Sequence, residues 1–292
     1  MKRRTFVALA CAFGSSLVMA GTTLRDARLP LESRVPGGIA LLDLGPATAE
    51  PGQVFFNGHR TPVVRSERGW TAVIGIPLDT SPGAHEAHLV APDARDNRPL
   101  AFVVAPKQYA EQRLQVENSH HVDPDPTELQ RIDRERVRID RALDTYSTDL
   151  SPPWTMPAPV PGEGSSSFGL RRFFNGQPRN PHSGMDIAAP TGTPIVNPAA
   201  GRVVETGDFF FNGNTIFVDH GLGVVTMYCH LSRIDVKPGD SVPAGVQLGL
   251  VGATGRVTGP HLHWSIGVNR AMIDPVLMLP REEAAARPAG AP

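Results

Sequence analysis

This chain of 292 residues has few cysteines and no excess of charge of either sign. It contains 2 cysteines, and 28 Lys and Arg stand against 29 Asp and Glu, for a formal net charge of -1. This balance excludes the strongly basic surface that is typical of nucleic-acid-binding proteins. Beyond the N-terminal segment, no run approaches the roughly 18 apolar residues of a membrane span. We therefore expect no nucleic-acid partner and no integral membrane span in the mature chain.

The N-terminus has the pattern of a secretory signal peptide. Lys2, Arg3 and Arg4 precede an apolar stretch over residues 6–19, and Val18-Met19-Ala20 is typical of a cleavage site. We predict a signal peptide over residues 1–20 and export to the periplasm or cell envelope. A retained N-terminal anchor is the alternative. The paired arginines leave open whether export follows the Sec or the twin-arginine route.

Turn-forming residues, by contrast, are abundant, with 29 Gly and 29 Pro. Such a composition argues against a helical bundle and favours short strands joined by turns. Residues 21–105 contain apolar runs separated by turn signals such as Asn57-Gly58 and Pro82-Gly83. This spacing predicts a small N-terminal β-sandwich. The candidate strands are residues 38–42, 53–56, 70–74, 87–90 and 100–104.

Residues 106–150 have the pattern of a helical connector. From Leu129 to Leu143, apolar residues recur at helical spacing among Arg, Asp and Glu. The preceding Asp125-Pro126 is typical of a helix start. We therefore predict a helix over residues 127–143 with a solvated charged face.

A segment rich in Pro, Gly and Ser, residues 151–167, marks the start of a second domain. The β pattern then returns up to about residue 280, with apolar runs at 201–204, 214–218 and 224–228. Residues 281–292 are rich in Ala, Pro and Glu, and we predict a disordered tail. The predicted fold is mainly β, with an N-terminal β-sandwich-like domain, a helical connector and a second β domain over residues 151–280.

Histidines in the second domain have spacings that indicate a metal site. His182 and Asp186 form an H-x-x-x-D pattern, in which Gly184 disfavours a helix. His261 and His263 form an H-x-H pattern in a strand-like run, so both point to the same face. Such groups can assemble a zinc site, and three protein ligands leave the open position that catalytic zinc requires. Spacing alone leaves open which histidine of the pair is the ligand.

A fifth histidine follows the run 224–228. If that strand extends far enough, Thr226, Tyr228 and His230 share one face. A histidine there can act on a metal-bound water or on a developing oxyanion. The same alternation turns Cys229 to the opposite face, away from the metal. Because Cys11 leaves with the signal peptide, Cys229 is then alone and an intrachain disulfide is excluded.

Several segments stand in the order seen in lysostaphin-type (LytM-like) zinc endopeptidases, and the chain resembles that family over about residues 151–280. The family commonly has Phe-Glu where this chain has Trp264-Ser265, a departure that removes no ligand. The segments are Phe168-Gly169-Leu170-Arg171, His182-x-x-x-Asp186, Tyr228-x-His230-Leu231-Ser232, Val236-Lys237-Pro238-Gly239-Asp240, Val251-Gly252-Ala253-Thr254-Gly255 and Gly259-Pro260-His261-Leu262-His263.

The resemblance implies a role for each of five residues. His182, Asp186 and His263 would bind one zinc ion per chain, and His230 and His261 would be the catalytic histidines. It also implies a mostly antiparallel β fold with a groove over the metal. The division of work between the two catalytic histidines stays open.

Other features near the implied groove each have two interpretations. Tyr228 either donates a hydrogen bond in the groove or packs in its wall, and Asn214 is either a cleft residue or a turn residue. Arg171 either orients the neighbouring loop or is exposed. The aromatic run 209–211 either lines the groove or packs on the N-terminal domain.

Taken with the signal peptide, the resemblance implies an exported zinc metalloendopeptidase that hydrolyses the peptide cross-links of bacterial peptidoglycan with a zinc-activated water. A D,D-endopeptidase is favoured over a cutter of glycine bridges, because no separate wall-binding domain follows residue 280. The alternative is a non-catalytic peptidoglycan-binding regulator or activator of cell-wall hydrolases. Family members of that kind lose ligands, whereas this chain keeps all five site residues. A zinc peptidase acting on proteins is a third hypothesis.

The N-terminal domain carries no cluster of catalytic residue types. One hypothesis is self-inhibition, in which this domain covers the groove until a partner or a cleavage displaces it, with residues 106–150 as the hinge. The other is that it positions the enzyme or binds a regulatory protein partner.

Overall fold

The computed structural model describes residues 29–286, with gaps at 48–49, 68, 93–96, 116–119 and 121. The predicted signal peptide, Cys11 and residues 287–292 lie outside the described residues. Within them the chain is mainly β, as predicted, with twenty strands and two α-helices. No helix in this part of the chain is long and apolar enough to cross a membrane.

The N-terminal domain contains β1 (Ile39–Gly45), β2 (Gln53–Phe56), β3 (His59–Thr61), β4 (Val63–Ser66), β5 (Gly69–Gly75), β6 (Gly83–Val90) and β7 (Arg98–Val104). They form two antiparallel sheets, in the orders β1-β5-β4 and β3-β2-β6-β7. Alternate residues point inward from each sheet, so Ala72 and Ile74 share one apolar core with Phe56 and Phe102. This arrangement confirms the predicted β-sandwich.

The C-terminal domain is built on one large sheet, whose main path has the order β17-β14-β15-β16-β19-β12-β9. All strand pairs in it are antiparallel, as the resemblance implied. Its strands are β9 (Gly164–Ser166), β12 (Met185–Ala188), β13 (Pro194–Val196), β14 (Gly201–Phe209), β15 (Gly213–Asp219), β16 (Val224–Ile234), β17 (Ser241–Val242), β18 (Gln247–Val251), β19 (His261–Val268) and β20 (Ala271–Ile273).

The helical connector contains α1 (Pro126–Leu143), close to the predicted bounds. Asp125 and Glu128 form a capping box: the Asp125 carboxylate accepts from the backbone N–H of Glu128, and the Glu128 carboxylate accepts from the N–H of Asp125. The helix lies against β14, where the Arg138 guanidinium is 2.9 Å from the Glu205 carboxylate. The connector is therefore packed on the C-terminal domain.

A short strand of the connector also joins the C-terminal domain. β8 (Glu111–Leu114) runs parallel to β10 (Arg171–Phe174), which pairs on its other side with β11 (Gln177–Pro178). Further along, the Arg179 guanidinium donates to the backbone oxygen of Val122 over 2.6 Å. The connector thus contacts the C-terminal domain at two places, through α1 and through β8.

The two central strands of the large sheet are buried on both faces. Tyr228 and Trp264 are cross-strand partners and lie in the main apolar core. The opposite face carries His263 and its cross-strand partner Cys229. Helix α1 covers part of this second face, because Leu143 packs there in the same cluster as Cys229. We call these the core face and the site face.

The N-terminal domain shares the main apolar core. Ile39 and Val73 belong to the same cluster as Trp264 and Val268. The Asn269 side chain accepts a hydrogen bond from the Gly75 N–H at 2.6 Å and donates to the Gly75 carbonyl at 3.1 Å. The N-terminal domain therefore contacts the large sheet where β19 turns into β20, on the core face.

Two segments make tertiary contacts beyond what was predicted for them. Within the Pro-, Gly- and Ser-rich segment, Trp154 and Met156 are buried in the main core. Where a disordered tail was predicted, Arg281–Ala285 forms the short helix α2. The Glu283 carboxylate in it accepts from the Ala158 N–H over 3.0 Å. Composition does not reveal such tertiary contacts.

Candidate active site

His182, Asp186 and His263, the residues that the resemblance assigns to the metal, come together from two segments. Asp186 of β12 is the cross-strand partner of His263 in β19, so their side chains project from the same face. The Asp186 Oδ1 lies 2.9 Å from His182 Nε2 and 2.8 Å from His263 Nδ1, and the two nitrogens are 2.9 Å apart. All three residues are buried. Three donor atoms therefore converge on one position.

The hydrogen bonds of His182 set its tautomer. Its Nδ1 lies 2.7 Å from the backbone oxygen of Ser167. A carbonyl oxygen only accepts, so Nδ1 carries the hydrogen and Nε2 presents a lone pair to Asp186 and His263. This is the arrangement in which a histidine binds a metal through one nitrogen and is oriented through the other.

Arg172 holds the second oxygen of Asp186, a contact that the sequence analysis missed. Its guanidinium donates to Oδ2 over 3.0 Å, which leaves Oδ1 for the histidines. The sequence pointed instead to Arg171 as a residue that could orient the neighbouring loop. Strand alternation turns Arg171 to solvent, where it pairs with Glu111, and turns Arg172 inward.

Ser265 orients the third residue of the cluster. Its Oγ lies 2.8 Å from His263 Nε2, while His263 Nδ1 faces Asp186. Ser265 stands where the family that the sequence resembles commonly has Glu, and this contact was not predicted. Alternation along β19 puts Ser265 on the same face as His263, so the pattern already contained this signal.

The donor set fits a zinc ion. His182 Nε2 and Asp186 Oδ1 both present lone pairs and lie 2.9 Å apart, a separation that needs a proton or a cation between them. Burial by itself opposes ionisation of Asp186, but the His182 and His263 rings outweigh it and hold the pKa of its carboxyl well below the usual value. Two imidazole nitrogens and a carboxylate oxygen are ligands that catalytic zinc takes.

His230 reaches the site through a β-bulge. Ile216 pairs with Tyr228 and Asn214 with Leu231, so β16 has one residue more than β15 in this stretch. His230 has a φ of 66°, in the left-handed region that residues other than glycine rarely occupy. The predicted common face for Tyr228 and His230 is therefore wrong, because the bulge interrupts the alternation.

Thr254 holds the His230 ring in place. Its backbone oxygen lies 2.8 Å from His230 Nδ1, so Nδ1 carries the hydrogen and Nε2 is an acceptor. The Thr254 hydroxyl accepts from the Asn214 N–H and donates to the Leu231 carbonyl, each over 2.9 Å. Asn214 thus contacts Thr254, the residue that holds the His230 ring.

His261 lies at the start of β19, beside His230. The two rings have their centroids 4.9 Å apart. His261 Nδ1 donates to the Gly259 carbonyl over 2.9 Å, and its Nε2 is 3.7 Å from Asp186 Oδ1. Burial, together with the neighbouring His263 and His261, lowers the pKa of His230 to about 3, so that ring is neutral at physiological pH. His230 therefore keeps its Nε2 free of a proton.

Tyr228 does not lie in the groove. It is fully buried in the main core, where its hydroxyl accepts from the Thr226 hydroxyl over 3.0 Å. Both groove positions considered for this residue are therefore wrong.

Cys229 is on the site face, although alternation from His230 predicted the opposite face. The bulge turns His230 and leaves Cys229 opposite His263 in the register. The thiol packs in an apolar cluster with Met227, and burial raises its pKa, which keeps it protonated and a poor metal ligand. It does not belong to the converging donor set found among the described residues.

The aromatic run 209–211 contacts the connector and a loop of the C-terminal domain. Phe209 lies 4.5 Å from the Arg138 guanidinium of α1. The N–H of Phe210 donates to the Glu135 carboxylate of the same helix over 2.7 Å. The ring of Phe211 packs on Arg256 at 4.2 Å. The run thus packs on the connector helix rather than on the β-sandwich.

A second group of possible ligand atoms has a structural explanation. His120, Asp125 and Glu128 also bring donor atoms within 4.8 Å of one another. Asp125 and Glu128 are engaged in the capping box of α1, and His120 is exposed. The capping of α1 therefore explains why these donor atoms lie close together.

Comparison with known proteins agrees with this geometry. Residues 180–275 match peptidase family M23, and residues 32–107 match the M23 N-terminal domain. A crystal structure from Pseudomonas aeruginosa, assigned to peptidase M23, is 43% identical with a TM-score of 0.72, over 85% of this chain and 96% of that chain. The chain belongs to peptidase family M23. The expected peptidase family is thereby confirmed.

Curated relatives of this M23 chain are similar over a shorter stretch. The peptidoglycan DD-endopeptidase ShyA of Vibrio cholerae is 39% identical over 138 residues, which are 47% of this chain and 30% of that protein. The DD-carboxypeptidase/endopeptidase Mpg of Neisseria meningitidis is 40% identical over 120 residues, 41% of this chain and 28% of that protein. The chain thus spans less than a third of the length of these relatives.

Replacing Ser265 by Ala tests whether the contact of its hydroxyl with His263 contributes to zinc affinity. Loss of the Oγ contact frees the ring to rotate, and we expect zinc affinity to fall by about tenfold or more. Competition with a chromophoric chelator measures the change. Ser241→Ala, at an exposed position of β17, is the matched control and should bind zinc as the unaltered chain does. Equal affinity in Ser265→Ala would show that this hydroxyl does not support the site.

Proposed function

We propose that this M23 chain is an exported zinc metalloendopeptidase that hydrolyses the peptide cross-links of bacterial peptidoglycan, as a D,D-endopeptidase. The observation that carries the proposal is the convergence of His182, Asp186 and His263, with His230 and His261 beside them. The substrate class is supported by the relative named peptidoglycan DD-endopeptidase.

In this proposal His182, Asp186 and His263 hold the zinc ion. Zinc supplies a Lewis acid, which acidifies a water molecule and polarises the scissile carbonyl. Arg172 keeps Asp186 Oδ1 turned toward the metal position by holding Oδ2, and Ser265 orients His263. Because the three ligands are buried, bulk water has little access to them.

His230 and His261 move protons at their Nε2 atoms. Each ring has its Nδ1 hydrogen bonded to a backbone carbonyl, so Nε2 can accept a proton from the attacking water. After accepting it, the same ring becomes a donor to the oxygen that turns negative, or to the leaving amine. Positioned groups of this kind contribute about 10²–10⁴-fold to the rate.

The non-catalytic alternative has less support from the structure. A binding module needs no converging ligand set, whereas this chain keeps all five residues and orients each of them with a hydrogen bond.

The proposal of export rests on residues 1–20, and sequencing the N-terminus of the envelope-associated protein tests it. A chain beginning at Gly21 supports cleavage of the signal peptide, and an intact Met1 contradicts it.

The sequence led us to expect self-inhibition by the N-terminal β-domain with residues 106–150 as the hinge; we now propose it for α1 of that connector instead. The β-sandwich contacts the core face, whereas α1 lies on the site face and is held by Arg138 on Glu205 and Arg131 on Asp208. If the helix restrains the groove, Arg131→Ala combined with Arg138→Ala should cleave peptidoglycan faster than the unaltered chain. Arg136→Ala, an exposed position of the same helix, is the control. Equal rates would contradict this proposal.

Digestion of purified peptidoglycan tests the central proposal. The mature, zinc-loaded chain should convert cross-linked muropeptide dimers to monomers, as read by mass spectrometry. A chelator should stop the reaction and added zinc should restore it. His230→Ala should lower the rate by about 100-fold or more, because a proton-transfer group is lost. His88→Ala, an exposed histidine of the β-sandwich, should have no effect.

The released fragments also show which peptide bond is cleaved, and so distinguish an endopeptidase from a carboxypeptidase. A new D-alanine carboxyl end on the donor peptide identifies a D,D-endopeptidase, and release of terminal alanine from monomers identifies a carboxypeptidase, an activity named for the Neisseria relative. Unchanged dimers with bound zinc would contradict the proposal. Full activity of His230→Ala would contradict the proposed role of that residue.

A further inference from the structure

The connector contributes a side chain to the surroundings of the proposed metal site. Gln112 of β8 is the register partner of Arg172 in β10. The side-chain oxygen of Gln112 accepts a hydrogen bond from Arg172 Nε over 3.2 Å. Arg172 Nη2 in turn donates to Asp186 Oδ2 over 3.0 Å. One guanidinium therefore joins the connector to a residue of the proposed zinc site.

Two acceptors set the orientation of the Arg172 guanidinium. The group is planar, so hydrogen bonds from Nε and from Nη2 together fix its plane and its direction. The side chain of Arg172 is 19% exposed and that of Asp186 is 8% exposed, so water has little room to replace a lost partner. Without the Gln112 oxygen, the guanidinium gains freedom to rotate away from Asp186 Oδ2.

Backbone hydrogen bonds hold β8 in register beside β10. The N–H of Arg171 donates to the Ala110 carbonyl over 2.9 Å, just before the paired residues begin. The N–H of Asn175 donates to the Leu114 carbonyl over 3.0 Å, just after they end. The pair is thus fixed at both ends, and Gln112 lies between these bonds, opposite Arg172.

Tyr109, two residues before β8, packs on the segment that precedes His182. The rings of Tyr109 and Phe168 lie edge to face with their centroids 6.3 Å apart. A Cβ at Gly169 would come within 2.1 Å of the Tyr109 ring, so this ring lies directly on the Gly169 backbone. The N–H of Gly169 donates to the His182 carbonyl over 2.7 Å. The connector therefore also supports the segment that holds a second ligand.

We propose that Gln112 is a positioning residue for the metal site, which acts through Arg172 on Asp186 and makes the connector part of the support for zinc binding. Contacts that orient a metal ligand raise the affinity for the metal, although they do not touch it. The segments matched to the family are residues 32–107 and 180–275, so Gln112 and Arg172 lie between them. This inference rests on the proposed function, because it concerns the zinc ion proposed there.

The zinc affinity of the full mature chain tests the proposal. Gln112→Met keeps the length of the side chain and removes the acceptor oxygen. Direct partners of metal ligands change the affinity by 10–100-fold, and Gln112 acts one contact further out, so we expect a loss of about three- to tenfold. Competition with a chromophoric chelator measures it. Gln108→Met, at an exposed position of the same connector segment, is the matched control and should bind zinc as the unaltered chain does.

Two further variants distinguish positioning from a general effect on the fold. Arg172→Ala removes the group through which Gln112 acts, so adding Gln112→Met to it should not change the zinc affinity further. Gln112→Glu keeps an acceptor oxygen for Arg172 Nε and should restore the affinity of the unaltered chain. This second variant tests the role of the oxygen with Arg172 in place.

The outcomes separate this inference from the proposed function. Unchanged zinc affinity in Gln112→Met would overturn the inference, even if the unaltered chain cleaves peptidoglycan. An equal loss with and without Arg172, or no recovery in Gln112→Glu, would overturn it as well, since Gln112 would then not act through that hydrogen bond. The expected affinities in a zinc-loaded chain that leaves peptidoglycan uncut would sustain the inference and contradict the endopeptidase proposal.

Discussion

The cross-strand pair of Asp186 and His263 is the constraint on which the site depends. Their register places a carboxylate and an imidazole on one face of the sheet, and His182 is added from the segment just before β12. The backbone hydrogen bonds between the two strands hold this register in place. Arg172 and Ser265 then leave each side chain one productive orientation. Two of the three ligands are thus placed by paired strands, and His182 comes from the irregular segment before β12.

The β-bulge at His230 brings the ring of this residue to the site. In an unbroken strand His230 would follow Tyr228 into the core, since residues two apart share a face. One extra residue in β16, with His230 in the left-handed region, brings the ring to 4.9 Å from His261. Thr254 offsets the local strain by holding the ring through Nδ1. Departures from ideal geometry of this kind concentrate at functional sites.

Much of the fold could be predicted, because turn residues and alternating apolar residues mark the strands, and Asp125-Pro126 marks the helix. The grouping of the five site residues was implied by family resemblance, and spacing alone left the ligand of the H-x-H pair open. The face of Cys229 was not predictable, since a bulge is a tertiary feature without a clear local signal. The contact of Arg172 with Asp186 was not predictable either, because it depends on which face of β10 lies against Asp186.

X-ray absorption at the zinc edge, on the full mature chain with its metal content measured, tests whether His182, Asp186 and His263 hold one zinc ion. We expect one zinc per chain with only nitrogen and oxygen neighbours, and loss of that zinc in His263→Ala. A sulfur neighbour from Cys229, or zinc that persists unchanged in His263→Ala, would contradict it.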